Sequence, residues 1–146
     1  MEKWITYLLD TDTLTPLFYK NPKVAKHFKK AIDAGNKVET TIISRIEMLR
    51  GRCDFLLKAS TGHDVVKSQQ WLKQTEIFLS QWLIIPFDDA AATQFYILRE
   101  NKKLRKVGHA DLLIASIVLA NQAVLVSRNL RHFKQVPNLK VVNWVD

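Results

Sequence analysis

Cysteine, glycine and proline are all scarce in the sequence, and each shortage excludes a class of protein. Cys53 is the only cysteine among 146 residues, so the chain has no intramolecular disulfide framework and no zinc site built from cysteines. Glycine and proline number four each, which argues against a low-complexity or disordered chain. Because Cys53 falls in a helix-like stretch, we expect it to be a buried structural thiol.

Long apolar runs are also absent from the sequence. The longest, residues 112–120, is about half the length that a membrane-spanning helix needs. The short apolar run that precedes Asp10 is too brief for a secretory signal peptide. We therefore expect a cytoplasmic protein that has no membrane partner.

The charge balance is strongly basic, with 22 Lys and Arg against 14 Asp and Glu and a formal net charge of +8 at pH 7. This excess favours a polyanionic partner, either a nucleic acid or an acidic protein, although a basic protein without such a partner can have the same composition. Hydrophobic residues make up 47% of the chain, enough for a sizeable core, and 146 residues is a usual size for one domain. We expect residues 1–146 to form a single domain.

Short apolar strands alternate with helical patterns along the chain. Strands are predicted at residues 5–9, 38–41, 83–87, 124–126 and 141–144. Helices are predicted from residue 12 or 13 to 18 and at 22–35, 43–58, 64–82, 90–100 and 112–120. Asp12 or Thr13 is the predicted cap of the first helix, and Gly35 the left-handed end of the second. The alternation predicts an α/β fold, a three-layer α/β/α sandwich around a mainly parallel central sheet.

Asp10 directly follows the first predicted strand. In open α/β sheets, ligand sites lie outside the carboxyl ends of the strands, so this position favours a functional acid. When Asp10 is considered alone, however, a loop acid or a helix cap is the simpler interpretation.

Two further acids stand near predicted helix starts. Residues 44–47 (Ser-Arg-Ile-Glu) match a capping box, in which Glu47 would bond back to the backbone of Ser44, although a glutamate here can also face a cleft. Asp111 precedes an apolar helix, whose dipole it would complement. Because that helix is apolar nearly all round, we expect it to be buried, with Asp111 at a cleft or capping an interior helix end. Converging carboxylates repel one another unless a divalent cation such as Mg²⁺ or Mn²⁺ neutralises them.

Four segments together carry a resemblance to one known family. They are residues 7–12 (Tyr-Leu-Leu-Asp-Thr-Asp), 41–47 (Thr-Ile-Ile-Ser-Arg-Ile-Glu), 108–115 (Gly-His-Ala-Asp-Leu-Leu-Ile-Ala) and 124–133 (Val-Leu-Val-Ser-Arg-Asn-Leu-Arg-His-Phe). In this order and at these separations they resemble the PIN-domain family, specifically the VapC-like ribonuclease toxins of type II toxin–antitoxin systems. The match covers nearly the whole chain.

The resemblance implies both an activity and a set of partners. It implies a metal-dependent endoribonuclease in which Asp10, Glu47 and Asp111 are catalytic and bind Mg²⁺ or Mn²⁺. The reaction would be hydrolysis of RNA phosphodiester bonds by a metal-activated water. The resemblance also implies a homodimer and inhibition by a cognate antitoxin protein. The apolar and aromatic residues of 64–82 are candidates for the dimer interface.

The fourth segment departs from the family pattern. Where the family often has a fourth acid, this chain has His132, which brings no negative charge, so a second metal would be held less well. Asp12, where the family often has Asn, would supply part of the missing charge. Ser127 and Asn129 are expected to give hydrogen-bonding support.

Basic residues cluster before Asp111 and within the fourth segment. We expect these groups to lie near the cleft mouth and to hold RNA phosphates, although a solvated surface is an equal alternative. The residues are Lys102, Lys103, Arg105, Lys106, Arg128, Arg131 and Lys134. His109 is a further candidate for substrate contact, or for stabilising a turn.

Two other functions remain open from the sequence. Residues 9–14 also resemble the strand-end DxD motif of haloacid dehalogenase-type phosphatases. In that family, however, the late acidic motif follows an apolar strand, whereas polar residues 102–106 precede Asp111 here. The second alternative is a PIN fold that binds RNA or a partner without cleaving, which His132 suggests.

Overall fold

The computed structural model describes residues 4–146, which form five strands and seven helices. The strands are β1 (Thr6–Leu9), β2 (Lys37–Thr41), β3 (Ile84–Ile85), β4 (Val124–Val126) and β5 (Lys140–Val142). The helices are α1 (Thr11–Phe18), α2 (Pro22–Asp33), α3 (Ile42–Leu57), α4 (Gly62–Ser80), α5 (Asp89–Glu100), α6 (His109–Ala120) and α7 (Leu130–Phe133), with a 3₁₀ turn at Lys102–Leu104 between α5 and α6. Residues 1–3, part of the single domain expected from the sequence, lie outside the described range.

The five strands form one sheet in the order β3-β2-β1-β4-β5, with every neighbouring pair parallel. β1 is central, and its last residue, Leu9, pairs with Thr40 of β2 and with Val126 of β4. Because parallel strands end at the same edge, the residues that follow β1, β2 and β4 meet there. The predicted mainly parallel sheet is confirmed.

Helices cover both faces of the sheet. The pleat of the strands sends Leu8 and Leu125 to one face, and Leu9 and Val126 to the other. The first pair packs with buried residues of α5, α6 and α7, and the second with residues of α1 to α4 and with the buried Trp144. This arrangement confirms the three-layer α/β/α sandwich.

The predicted cap of α1 is wrong, and of the two alternatives for Glu47 the structure excludes the capping box, because several polar side chains near each helix start can serve as caps. α1 is capped by Asp10, whose carboxylate accepts a hydrogen bond from the Thr11 amide at 2.8 Å, and not by Asp12 or Thr13. α3 begins one residue earlier than predicted and is capped by Thr41, whose Oγ1 accepts from the Ser44 amide at 3.1 Å. The predicted capping box at 44–47 is therefore absent.

Other local predictions have mixed outcomes. Gly35, just beyond α2, has the predicted left-handed conformation with φ of +84°. The centre of α6 is buried, as its apolar composition indicated. Cys53 is exposed, so the predicted buried thiol is wrong; the buried neighbours on α3 are Met48 and Arg52. Within residues 4–146, no helix combines the length and the apolar character needed to cross a lipid bilayer.

Candidate active site

Asp10 lies at the end of the central strand and is 7% exposed. Its amide donates to the Val126 carbonyl at 2.9 Å, which ties the residue to the end of β4. Its Oδ2 accepts from the Ser127 hydroxyl at 2.9 Å, while Oδ1 caps α1. Burial, reinforced by the charge of nearby Asp12, raises the pKa of Asp10 to about 7. Asp10 is thus both a helix cap and a carboxyl group that resists ionisation.

Ser127 connects Asp10 to a second carboxylate. The hydroxyl is fully buried and lies 2.9 Å from Asp10 Oδ2 and 3.1 Å from Asp12 Oδ2. A hydroxyl carries one hydrogen, so Ser127 can donate to only one of these oxygens at a time. Asp12 Oδ2 also accepts from the Arg128 amide at 3.0 Å, whereas Ser127 Oγ accepts from the Asn129 amide at 3.0 Å. The turn after β4 therefore holds both acids in place.

Glu47 reaches the same edge from the second turn of α3. Thr11 Oγ1 donates to Glu47 Oε1 at 3.2 Å, which joins α3 to the start of α1. Partial burial raises the pKa of Glu47, and the negative charges of Asp111 and Asp12 act in the same direction. Glu47 therefore faces the other acids and does not cap its own helix. Thr11 was not predicted as a site residue, although its position directly after Asp10 was the available signal.

Asp111 is the third residue of α6, and its Oδ2 faces the turn that follows β4. Asn129 Nδ2 donates to Asp111 Oδ2 at 3.2 Å, and His132 Nδ1 lies 3.6 Å from the same oxygen. Burial raises the pKa of Asp111, and His132 opposes this shift. Asn129 Nδ2 also lies 3.1 Å from His132 Nδ1. Since Asp111 belongs to a helix and does not follow a strand, the likeness to the late phosphatase motif is not supported.

The site carries four carboxylates, whose oxygen atoms are the type of ligand that a hard divalent cation prefers. They belong to Asp10, Asp12, Glu47 and Asp111. All of their donor atoms are oxygens, which Mg²⁺ and Mn²⁺ prefer. Burial is the main cause of the raised pKa of Asp10, Glu47 and Asp111, and the negative charges of neighbouring acids act in the same direction, which a cation would relieve. Within residues 4–146, no three Asp, Glu, His or Cys side chains already form a ligand set around one point. A cation that keeps several waters and takes one or two carboxylates directly is compatible with this arrangement.

Of the basic residues predicted to bind RNA, only Arg128 is seen in contact with one of the four acids. Lys102, Lys103, Arg105 and Lys106 are exposed on and beside the 3₁₀ turn, between α5 and α6. Arg131 is exposed on α7, and Lys134 follows that helix. Arg128 adjoins the acids through its amide, but its guanidinium is paired with Asp146. His109 is exposed at the start of α6, with its ring 5.8 Å from that of Phe95.

Known proteins match the chain along nearly its whole length. The PIN domain family model matches residues 7–139. Ribonuclease VapC2 of Rickettsia felis is 30% identical over 142 residues, which cover 94% of this chain and 97% of that protein. Among solved structures, VapBC2 from Rickettsia felis bound to a promoter DNA fragment has a TM-score of 0.76 and 27% identity, covering 96% of this chain and 99% of that one.

A second solved structure supports the fold. DNA-bound VapBC from Salmonella typhimurium has a TM-score of 0.75 at 22% identity and covers 96% of this chain and 98% of that one. The parallel sheet, the acids at its carboxyl edge and the family match over residues 7–139 agree with one another. The chain belongs to the PIN-domain family, and within it to the relatives of the VapC ribonucleases.

Proposed function

We propose that the protein is a metal-dependent endoribonuclease in which Asp10, Glu47 and Asp111 are the catalytic, metal-binding carboxylates. The observation that carries this proposal is the convergence of acids from β1, α1, α3 and α6 at one edge of the sheet. The similarity to ribonuclease VapC2 supports RNA as the substrate class. The net charge of +8 is consistent with a polyanionic substrate.

Mg²⁺ or Mn²⁺ is the proposed cofactor, held directly by Asp10 and Asp111, with Glu47 as a further ligand through a bound water. When bound, such a cation polarises a phosphoryl oxygen and lowers the pKa of a water molecule. The role of the chain is to fix the carboxylates in position. Ser127 orients Asp10, and Asn129 orients Asp111, each through one hydrogen bond.

Glu47 is the acid best placed to exchange a proton with the attacking water. Its Oε1 is held by Thr11, so the proton would be taken up at Oε2. The side chain keeps contact with solvent, and its raised pKa brings proton transfer nearer to neutral pH. Asp10 is too deeply buried for this role.

The first test is cleavage of labelled RNA by the purified chain with Mg²⁺, with Mn²⁺ and with EDTA. We expect cleavage only with a divalent cation, and its loss in Asp10→Asn and Asp111→Asn. Asp33→Asn, which removes an exposed carboxylate from α2, is the matched control and should cut normally. Thermal unfolding in each solution gives a second readout, because a cation that binds only the folded chain raises the melting temperature.

The sharpest alternative is a PIN fold that binds RNA without cutting it. The observation that favours it is His132 beside Asp111, where the family often has a fourth acid. RNA binding that persists in EDTA and in Asp10→Asn, without cleavage of several RNAs, would establish this alternative. Metal-dependent cleavage that both Asn variants abolish would exclude it.

We also propose that the protein is the toxin of a type II toxin–antitoxin pair, acts in the cytoplasm and forms a homodimer. The similarity to VapBC2 from Rickettsia felis, over 96% of this chain, supports an antitoxin as the protein partner. Exposed apolar residues on α3 and α4 supply surface for protein contacts. They are Ile46, Phe55, Leu57, Val66 and Ile77.

A further inference from the structure

Arg128 lies at the rim of the proposed active site with its guanidinium already occupied. Its amide donates to Asp12 Oδ2 at 3.0 Å, so the residue adjoins the acids. Its side chain turns to Asp146, with Nε 3.0 Å from Oδ2 and Nη2 2.9 Å from Oδ1. The two parallel hydrogen bonds form the bidentate fork with which a guanidinium binds a carboxylate or a phosphate.

The position of Asp146 is built into the fold. Asn143 Nδ2 donates to Asp146 Oδ2 at 2.9 Å, and Asn143 Oδ1 accepts from the amides of Val145 at 2.8 Å and Asp146 at 3.2 Å. Trp144, which follows Asn143 in this turn, is buried and stacks on His27, with the ring centroids 5.7 Å apart. The turn at 143–146 therefore presents the Asp146 carboxylate to Arg128.

The pair is also open to exchange with a ligand from solution. The side chains of Arg128 and Asp146 are 49% and 54% exposed, so an incoming phosphate can reach both. Exposed ion pairs of this kind contribute little net stability, because water solvates the separated charges well. An RNA phosphate that reaches Arg128 would meet a guanidinium whose charge Asp146 already neutralises.

We propose that Asp146 is a built-in mimic of a substrate phosphate, which occupies Arg128 until RNA displaces it. This inference rests on one part of the proposed function, RNA as the substrate, and on the sequence-based expectation that Arg128 contacts an RNA phosphate. Asp146 then weakens RNA binding by competition, which raises KM. The catalytic carboxylates are untouched, so kcat is unchanged.

The test is binding of a fluorescent 12-nucleotide single-stranded RNA, measured by anisotropy in EDTA at several salt concentrations. We expect Asp146→Asn to tighten binding about 2–5-fold, the range that an exposed ion pair can supply. The dependence of log K on log salt should steepen by about 0.7, the contribution of one freed phosphate contact to single-stranded nucleic acid. In an Arg128→Ala background, Asp146→Asn should give no gain.

Two controls separate competition from bulk charge. Asp33→Asn makes the same charge change at an exposed ion pair of 2.8 Å with Lys29, on α2, and should give a smaller gain. Asn143→Ala releases Asp146 without changing the net charge, and should tighten binding in the same direction as Asp146→Asn. Asn143→Ala also replaces Asp146→Asn as the test variant if Asp146→Asn fails to fold.

Several results would overturn the proposal. They are unchanged or weaker binding in Asp146→Asn, a gain no larger than that of Asp33→Asn, or a gain that survives Arg128→Ala. Weaker binding would mean that Asp146 positions Arg128 for RNA. Since the assay runs in EDTA, it does not depend on cleavage. An increase in affinity without any nuclease activity would overturn the proposed function and leave this inference standing.

Discussion

At the scale of single residues, Asp10 stabilises α1 as its cap but opposes folding when it is ionised. Its folded-state pKa of about 7 lies above the ordinary value of 3.8, so the folded protein binds more protons than the unfolded chain between these values. The metal-free protein should therefore lose stability as pH rises from about 4 to about 7. We expect Asp10→Asn, which keeps a capping oxygen, to raise the free energy of unfolding at pH 8 by about 2 kcal/mol or more.

Urea unfolding in EDTA at pH 5 and pH 8 measures this effect. The advantage of Asp10→Asn over the natural chain should be larger at pH 8. Asp33→Asn, on the exposed surface of α2, should show no such gain. An equal difference at both pH values would show that ionisation of Asp10 carries no cost in the folded state.

His132 offers a second prediction at this scale. His132→Asp places a carboxylate beside Asp111, 3.6 Å from the present imidazole nitrogen, and should tighten Mn²⁺ binding several-fold. The matched control is His109→Asp, which makes the same change at the exposed start of α6, beside Phe95. Isothermal titration with Mn²⁺ compares the two variants. Equal affinities in both would mean that position 132 does not face the cation.

At the scale of elements, α3 and α4 offer a matched pair of caps. Thr41 Oγ1 caps α3 and Thr61 Oγ1 caps α4, each accepting a backbone hydrogen bond at 3.1 Å. Either Thr→Ala change should cost about 1 kcal/mol of stability in urea unfolding. Only Thr41→Ala should also reduce RNA cleavage, because α3 carries Glu47. Equal cleavage by the two variants would show that the start of α3 does not position Glu47.

The sequence predicts the elements better than their ends. Residues 124–126 read directly as β4, because a buried parallel strand is apolar throughout. The cap of α1 was wrong because residues 10–13 are all capable of capping, and the pairing of β1 with β4 decides where the helix starts. Similarly, Thr41 and Ser44 compete for the start of α3, and only the fold assigns it to Thr41.

The site was predictable for the residues that follow strands, and less so for their partners. Asp10 and Ser127 each follow a parallel strand, so their meeting follows from the sheet order. The contact of His132 with Asp111 depends on α7, a four-residue helix too short to show an apolar period. The pairing of Arg128 with Asp146 depends on the turn at 143–146, which no strand or helix pattern indicates.

At the scale of the whole molecule, an acidic site lies in a basic protein with exposed apolar surface. Val66 and Ile77 are exposed on α4 and eleven residues apart, which places them on one face after three helical turns. We expect twice the chain mass in light scattering, and a monomer for the double change of both residues to Lys. Tyr96→Lys, an exposed site on α5, is the control. A monomeric natural chain would contradict the homodimer.

Antitoxin binding is tested by co-expression. The product of a small reading frame adjacent to the gene should co-purify with the chain and suppress RNA cleavage. A neighbouring product that binds without affecting cleavage would contradict the toxin–antitoxin assignment.

The hydrogen bond from Ser127 to Asp10 joins residues 117 positions apart, across the neighbouring strands β4 and β1. Synthesis on the ribosome proceeds from the N-terminus, so Asp10 emerges long before Ser127, Asn129 and the strand that carries them. A partly translated chain has neither β4 beside β1 nor the hydrogen bond that orients its first acid. We therefore expect the proposed nuclease activity to appear only once the chain has left the ribosome, and not while it is tethered to the messenger RNA and ribosomal RNA that produce it.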